Sequence, residues 1–301
     1  MSLIENLTSF CSDVYKNYGE CEHCSHPSGH CSGGCRKCSE EVNFHKKNGR
    51  TDYDCQKFMY YYVCRYSWKY CSEIIHLLDT INLDEYPEYR ILSLGCGGAP
   101  DLMAFEEKNN NGKDILYRGY DINPYWAPIH HEIENYAEDT SLDVRFFQKN
   151  IFDVINRQKA SKKQYNVIVL EYLLSHFPSC ERDELAEELF DGIIQFALTK
   201  RYPHSPFLII INDIDHYEIR DTFDILITKL ADNDYRCTYS KYHFKSRWKD
   251  FGDGSSQYAS KLNCFSIPEK QKELFDCAIT CSSAQLVIEV SPAKPAKSCQ
   301  G

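Results

Sequence analysis

Beyond Pro87 the chain alternates two kinds of apolar pattern. The runs RILSLG from Arg90, DILYRGYD from Asp114, VRFFQKN from Val144, NVIVLEY from Asn166 and FLIIIND from Phe207 are short and rich in β-branched or aromatic residues, so each predicts a strand. Between them APDLMAFEEK, YWAPIHHEIENYAE, CERDELAEELFDGIIQFALTK and HYEIRDTFDILITKLAD place apolar residues at helical spacing. Strands that alternate with helices predict βαβ units, and hence an α/β fold with a doubly wound parallel sheet. Near the C-terminus, RCTYSKYHF and AQLVIEV read as two more strands, an antiparallel pair closing the sheet edge.

Upstream the pattern is different. Residues 11–52 are rich in Cys, Gly, Ser and His with little apolar periodicity, so they cannot bury enough carbon to fold without staples. From Tyr53 the segment FMYYYVCRYSWKYCSEIIHLL has Tyr62, Tyr66 and Tyr70 four apart, the period of a helix, and its aromatic stripe is read as packing against the next domain. The expected organisation is a Cys-rich module over 1–52, an aromatic linker helix over 53–86, an α/β domain over 87–292 and a flexible tail over 293–301, where SPAKPAKSCQG is of low complexity.

Composition narrows the setting. The longest apolar runs are far too short to span a bilayer, and MSLIENLTSF has neither a basic region nor an apolar core, so the expectation is a cytoplasmic protein with no membrane partner. A net charge of −10 argues against broad phosphate-backbone binding by the whole surface. The charge is uneven, because residues 1–71 hold nine Lys/Arg against eight Asp/Glu, so the acidic excess lies in the rest of the chain.

Nine of the sixteen cysteines also lie within residues 1–71. In a reducing compartment such clustering predicts metal binding before disulfides. The C-x2-C pairs Cys21/Cys24 and Cys35/Cys38, with Cys31 between them, can supply thiolates to a tetrahedral zinc ion, and a closed site of this kind is structural. CSGGCRKC also has the C-x3-C-x2-C spacing of an iron–sulfur radical loop, but such a loop follows the first strand of a (β/α) barrel, and here no strand precedes it.

The strongest chemical signal is ILSLGCGGAPDL, Ile91 to Leu102: a strand, a glycine turn and a helix start, where backbone can approach a ligand and offer N–H groups. About twenty residues on, YRGYDIN ends a second strand on Asp121, where a carboxylate can accept ribose hydroxyls. A dinucleotide fingerprint would need a third glycine where Pro100 stands.

The turn resembles motif I, LGCGxG, of the class I S-adenosylmethionine-dependent methyltransferases, and the resemblance extends over residues 90 to about 215. It implies a seven-strand-type Rossmann-like sheet and S-adenosyl-L-methionine as cofactor. Gly95, Gly97 and Gly98 would line the methionine portion and Asp121 would hold the ribose, with Cys96 and Ile122 beside them at the cofactor. Asn150 would lie near the adenine, with Ile151 and Phe152 beside the ring. Glu171 and Tyr172 would stand near the transferable methyl group. Two departures matter. Ser93 occupies the place of an acid that helps hold the cofactor's methionine end, with Asp101 just beyond the turn as a substitute. LEYL stands where amino-group methyltransferases have (D/N)-P-P-(Y/F).

Methyl transfer needs a positioned nucleophile more than a strong acid, and a base only if the nucleophile arrives protonated. Glu171, His176, Asp213, Asp215 and His216 follow the fourth and fifth strands and are the candidate bases, although no single catalytic residue is assigned. The acceptor is left open among a small molecule, a protein and an RNA. The zinc module is read as scaffold, with substrate recognition as its other possible use. The opposing reading is a methyltransferase-like adaptor with a degenerate cofactor site, for which Ser93 is the main support.

Overall fold

The structure, a computed structural model, describes residues 1–19, 34–41, 55–157, 164–197, 201–202, 205–244 and 252–291. The five runs after Pro87 are strands β1 (Tyr89–Leu94), β2 (Ile115–Asp121), β3 (Leu142–Gln148), β4 (Val167–Glu171) and β5 (Phe207–Ile214), all mutually parallel. Strands β6 (Cys237–His243) and β8 (Ser283–Val290) are the expected antiparallel pair, with β8 inserted between β5 and β6. A two-residue strand, β7 (Ser256–Gln257), extends the far edge, so the sheet is mixed and has eight strands in the order β3-β2-β1-β4-β5-β8-β6-β7. This open, Rossmann-like sheet is not a (β/α) barrel, which removes the frame that the iron–sulfur radical reading requires.

Strand residues alternate between two apolar layers, which is why the central strands read as continuous apolar runs. Ile91, Val167, Val169, Leu208 and Ile210 face one layer with α1 (Leu3–Asn17), α3 (Gln56–Leu78), α4 (Pro100–Lys108) and α5 (Ala127–Glu138). Leu92, Leu94, Ile168, Leu170, Ile209 and Ile211 face the other with α6 (Ile151–Arg157), α7 (Arg182–Ala197) and α8 (Tyr217–Asp232).

Helix α3 is a full member of its layer. Phe58, Met59, Cys64, Trp68, Cys71, Ile74 and Leu77 are buried in one cluster with residues of α1 and α4, the helices α3 packs on, and each such side chain contributes on the order of 2 kcal/mol. The face carrying Phe58, Tyr61 and Trp68 is therefore core, as expected, while Tyr62, Tyr66 and Tyr70 are only half-buried. Helix α1 was not legible as an element. It lies in the span assigned to the Cys-rich module, yet Leu3, Ile4, Leu7 and Cys11 pack into the same core cluster as α3 and α5, so among the described residues this part of 1–52 belongs to the main body. Its start is set by a capping box between Ser2 and Glu5.

Parallel register brings the C-terminal ends of β1, β2, β4 and β5 to one edge. Leu94 pairs with Tyr120 on one side and Leu170 on the other, and Glu171 pairs with Asn212. The chain crosses from β3 to β4 over β1, and the crevice at that reversal is where open α/β sheets hold ligands.

Candidate active site

The glycine turn is built by backbone that only small residues can follow. Gly95 (φ 70°) and Gly97 (φ 48°) are left-handed, as is Ala99 (φ 56°) immediately before Pro100 opens α4. A Cβ at Gly95 would stand 2.8 Å from Leu173 Cδ1 and one at Gly98 3.2 Å from Val63 Cγ2, so the turn is pressed between the end of β4 and helix α3. The N–H groups of Gly95 and Cys96 donate to the Tyr120 carbonyl at 2.8 and 3.1 Å, fixing the turn to β2.

Asp121 closes the turn from the second strand. Its carboxylate accepts from Gly97 N at 3.0 Å and from Asn123 N at 2.9 Å. Burial raises its pKa, and these backbone donors work against that rise. His130 of α5 lies 4.0 Å from the Phe146 ring in a parallel stack, and its Nε2–H donates to the Gly97 carbonyl at 2.7 Å. Burial lowers the His130 pKa to about 4, so the imidazole is neutral at ordinary pH.

Above the turn opens a cavity of about 630 Å³, in the range of small-molecule sites. Gly95, Cys96, Gly97, Gly98, Asp121, Ile122, Asn150, Ile151 and Glu171 all line it, so residues that the sequence scatters over four loops meet in one place. Ile122 presents an apolar side chain that is 64% exposed, and Phe152 and Phe177, whose rings are 5.9 Å apart, line the same cavity. The Asn150 side-chain oxygen is already used, accepting from Phe152 N at 3.0 Å at the start of α6. Ser93 and Asp101 lie beneath the turn. Asp101 accepts from Tyr117 OH at 2.9 Å, and neither Ser93 nor Asp101 lines the cavity, so the expectation that Asp101 substitutes there for the acid absent at Ser93 is not met.

The far wall comes from residues that the sequence did not assign to the site: Tyr62, Val63, Ser67 and Tyr70 of α3, with Tyr125 and Trp126. The signal available was the i, i+4 tyrosine series. One face of it covers the cavity while the rest of the helix is core. Tyr66 stacks on Tyr70 at 5.5 Å and Tyr70 meets Tyr172 at 4.2 Å.

Behind this wall runs a buried polar network. Glu73 of α3 is fully buried and accepts from Lys69 Nζ at 3.1 Å, Tyr172 OH at 2.8 Å and Ser282 N at 2.7 Å. Lys69 also donates to the Tyr172 hydroxyl. Asn212 donates to Glu171 Oε1 at 3.0 Å, and Gln285 donates to Asn212 Oδ1 at 2.9 Å. Tyr172, the residue after β4, is held at φ 50°, a costly conformation for a non-glycine residue. Burial, with Glu73 adding to it, raises the Tyr172 pKa, so its hydroxyl keeps its proton and donates. Glu171 is 8% exposed, and its Oε2 has no hydrogen-bond partner. Burial first, then Asp101 and Glu73, push its pKa well up, against Asn212 and Lys69.

The other candidate bases separate. His176 lines the cavity. Asp213 does not: it is fully buried and accepts from Ser175 N at 3.2 Å and Ile214 N at 2.7 Å. Asp215 pairs with Arg220 at 2.7 Å, and His216 precedes α8 as its N-cap residue. The suggestive cluster IINDIDH is therefore structural, its acids shaping the β5–α8 connection.

Of the expected zinc ligands, Cys21, Cys24 and Cys31 lie outside the described residues. Cys35 and Cys38 are buried on α2 (Gly34–Glu41), against α3. Among the described residues no group of three His, Cys, Asp or Glu side chains is placed to hold a metal ion, and no helix is long and apolar enough to cross a membrane.

No known protein family and no curated protein matches the chain. Solved structures similar to it include a SAM-dependent methyltransferase from Archaeoglobus fulgidus (14% identity, 73% of this chain and 94% of that one, TM-score 0.40). The plantazolicin methyltransferase BpumL in complex with SAH is another (14% identity, 96% and 97%, TM-score 0.39). A putative SAM-dependent methyltransferase from Streptococcus mutans is a third (13% identity, TM-score 0.41), and there the match spans 72% of this chain but only 48% of the other.

Proposed function

We propose that the chain is an S-adenosylmethionine-dependent methyltransferase whose cofactor lies in the cavity above Gly95–Gly98. One observation carries the reading: the nine residues assigned to the cofactor from sequence line a single cavity at the switch point of the sheet. The residues suit the group. The glycine turn admits close approach, Asp121 offers a carboxylate at the second strand, Ile122 and Phe152 offer apolar surface to a flat ring, and Glu171 offers an unpartnered acid oxygen to a cationic ligand. S-adenosylmethionine supplies an activated methyl group on a sulfonium when bound. The chain's own work is to orient it, exclude water with the tyrosine face of α3, and receive the acceptor near Glu171 and Tyr172.

The adaptor reading keeps Ser93 as its support, because Asp101, the expected substitute acid, accepts from Tyr117 beneath the turn and does not line the cavity. The Cys-rich segment is proposed to hold zinc through Cys21, Cys24, Cys31, Cys35 and Cys38 as a structural site, on ligand spacing alone. Photo-crosslinking of methyl-labelled S-adenosylmethionine, followed by peptide mapping, tests the cofactor site. Label is expected in peptides carrying Gly95–Trp126 or Asn150–Phe152, and label confined to other peptides would refute the placement.

A further inference from the structure

Five carboxyl groups gather at or behind the cavity wall: Glu73, Asp101, Asp121, Glu171 and Asp213. Glu73 is met by Lys69, Tyr172 and backbone N–H; Asp121 and Asp213 are each held by two backbone N–H groups. Asp101 accepts from Tyr117 through Oδ1 and its Oδ2 has no partner either, but it lies beneath the turn and does not line the cavity. Glu171 differs from all of these. It lines the cavity, it is 8% exposed, and one of its two oxygens has no donor. A buried carboxylate oxygen left without a donor is costly, so the site is built to receive a cation or a proton there. Tyr172 and Tyr70 also line the cavity, and the Lys69 ammonium lies over both rings, 4.8 Å from each centroid.

We propose that this end of the cavity takes the methyl acceptor as a protonated amine, which donates to Glu171 Oε2 beside the rings of Tyr70 and Tyr172, and that Glu171 removes the proton that blocks the nitrogen. In that step an N–H bond breaks with its electron pair left on nitrogen, and an O–H bond forms at Glu171 Oε2. The amine becomes a neutral nucleophile, and the proton later returns to water through the cavity mouth. The inference rests on the methyltransferase reading and deepens it by naming the acceptor's chemistry. The raised proton affinity that burial gives Glu171 suits a base working on an ammonium group.

Binding tests it without turnover. The full chain, saturated with S-adenosylhomocysteine, is titrated with matched probes: phenethylamine against phenylethanol, and butylamine against butanol. The wild type is expected to prefer the amine of a pair by roughly tenfold or more, the scale of a charge-assisted hydrogen bond. Glu171→Gln, brought to saturation with S-adenosylhomocysteine by its own titration, is expected to erase that preference, and an unchanged thermal unfolding midpoint reports that the variant is folded. No preference for the amine in either pair would overturn the proposal. So would a Glu171→Gln variant that loses S-adenosylhomocysteine but keeps methylthioadenosine, because the carboxylate would then serve the cofactor's own ammonium. Failure of the wild type to bind S-adenosylhomocysteine at all would instead fail the underlying reading.

Discussion

Glu73 and Tyr172 lie 99 positions apart and are joined by a 2.8 Å hydrogen bond, from the Tyr172 hydroxyl to Glu73 Oε2. Through it the aromatic helix α3 fixes the first residue beyond β4, the residue that carries left-handed backbone beside the cavity. The helix that looks like a linker in sequence is thus part of the site's frame.

Breaking this frame should be expensive. Lys69→Met leaves the Glu73 carboxylate without its cation in a dry interior, and about 3–5 kcal/mol of stability should be lost in urea unfolding. Tyr172→Phe removes two hydrogen bonds, one donated to Glu73 and one accepted from Lys69, and should cost about 2 kcal/mol. Equal small losses for both would mean that the buried pair does not hold the helix to β4.

Two glycines with the same backbone sign should behave differently. Gly95→Ala adds a Cβ 2.8 Å from Leu173 and should weaken S-adenosylhomocysteine binding by roughly tenfold or more. Gly112→Ala, also at positive φ (62°) but opening into empty space, should cost about 1 kcal/mol of stability and leave ligand binding alone. Calorimetric titration of both variants checks the contrast.

Asp101 sets a pH dependence. Burial raises its pKa to about 6, against about 3.9 in an unfolded chain. The folded state then binds the proton more tightly, so this group's contribution is fully present below the unfolded value and is lost as pH rises through about 6. Asp101→Asn should remove up to about 3 kcal/mol of that loss, seen as a flatter stability curve between about pH 4 and 7. A curve parallel to the wild type would refute the assignment.

For the metal, elemental analysis of anaerobically purified protein should find zinc without stoichiometric iron, and Cys21→Ser with Cys24→Ser should lower the zinc content. Stoichiometric iron and sulfide would contradict the zinc assignment.

Much of this architecture was legible in the sequence. The central strands β1, β4 and β5 are read from β-branched runs buried on both faces, and β8, though antiparallel, carries the same signal. The cavity residues of the glycine turn and Asp121 were legible because a glycine turn and the acid after the next strand are local patterns. The α3 wall was not, since Tyr62 and Tyr70 obey the same helical period as the core residues Phe58 and Trp68, and period alone does not say which face meets a cavity. Asp213, Asp215 and His216 misled for the opposite reason. They cluster along the chain, but burial, Arg220 and the α8 N-cap position take them into the scaffold.

The central claim, that the cavity above Gly95–Gly98 binds S-adenosylmethionine, is tested most directly by calorimetric titration of S-adenosylhomocysteine into the wild type and Asp121→Ala. Saturable binding by the wild type that weakens by about tenfold or more in the variant is predicted, because Asp121 both ties the turn and lines the cavity. No binding at about millimolar ligand, or equal binding by the two proteins, would contradict it.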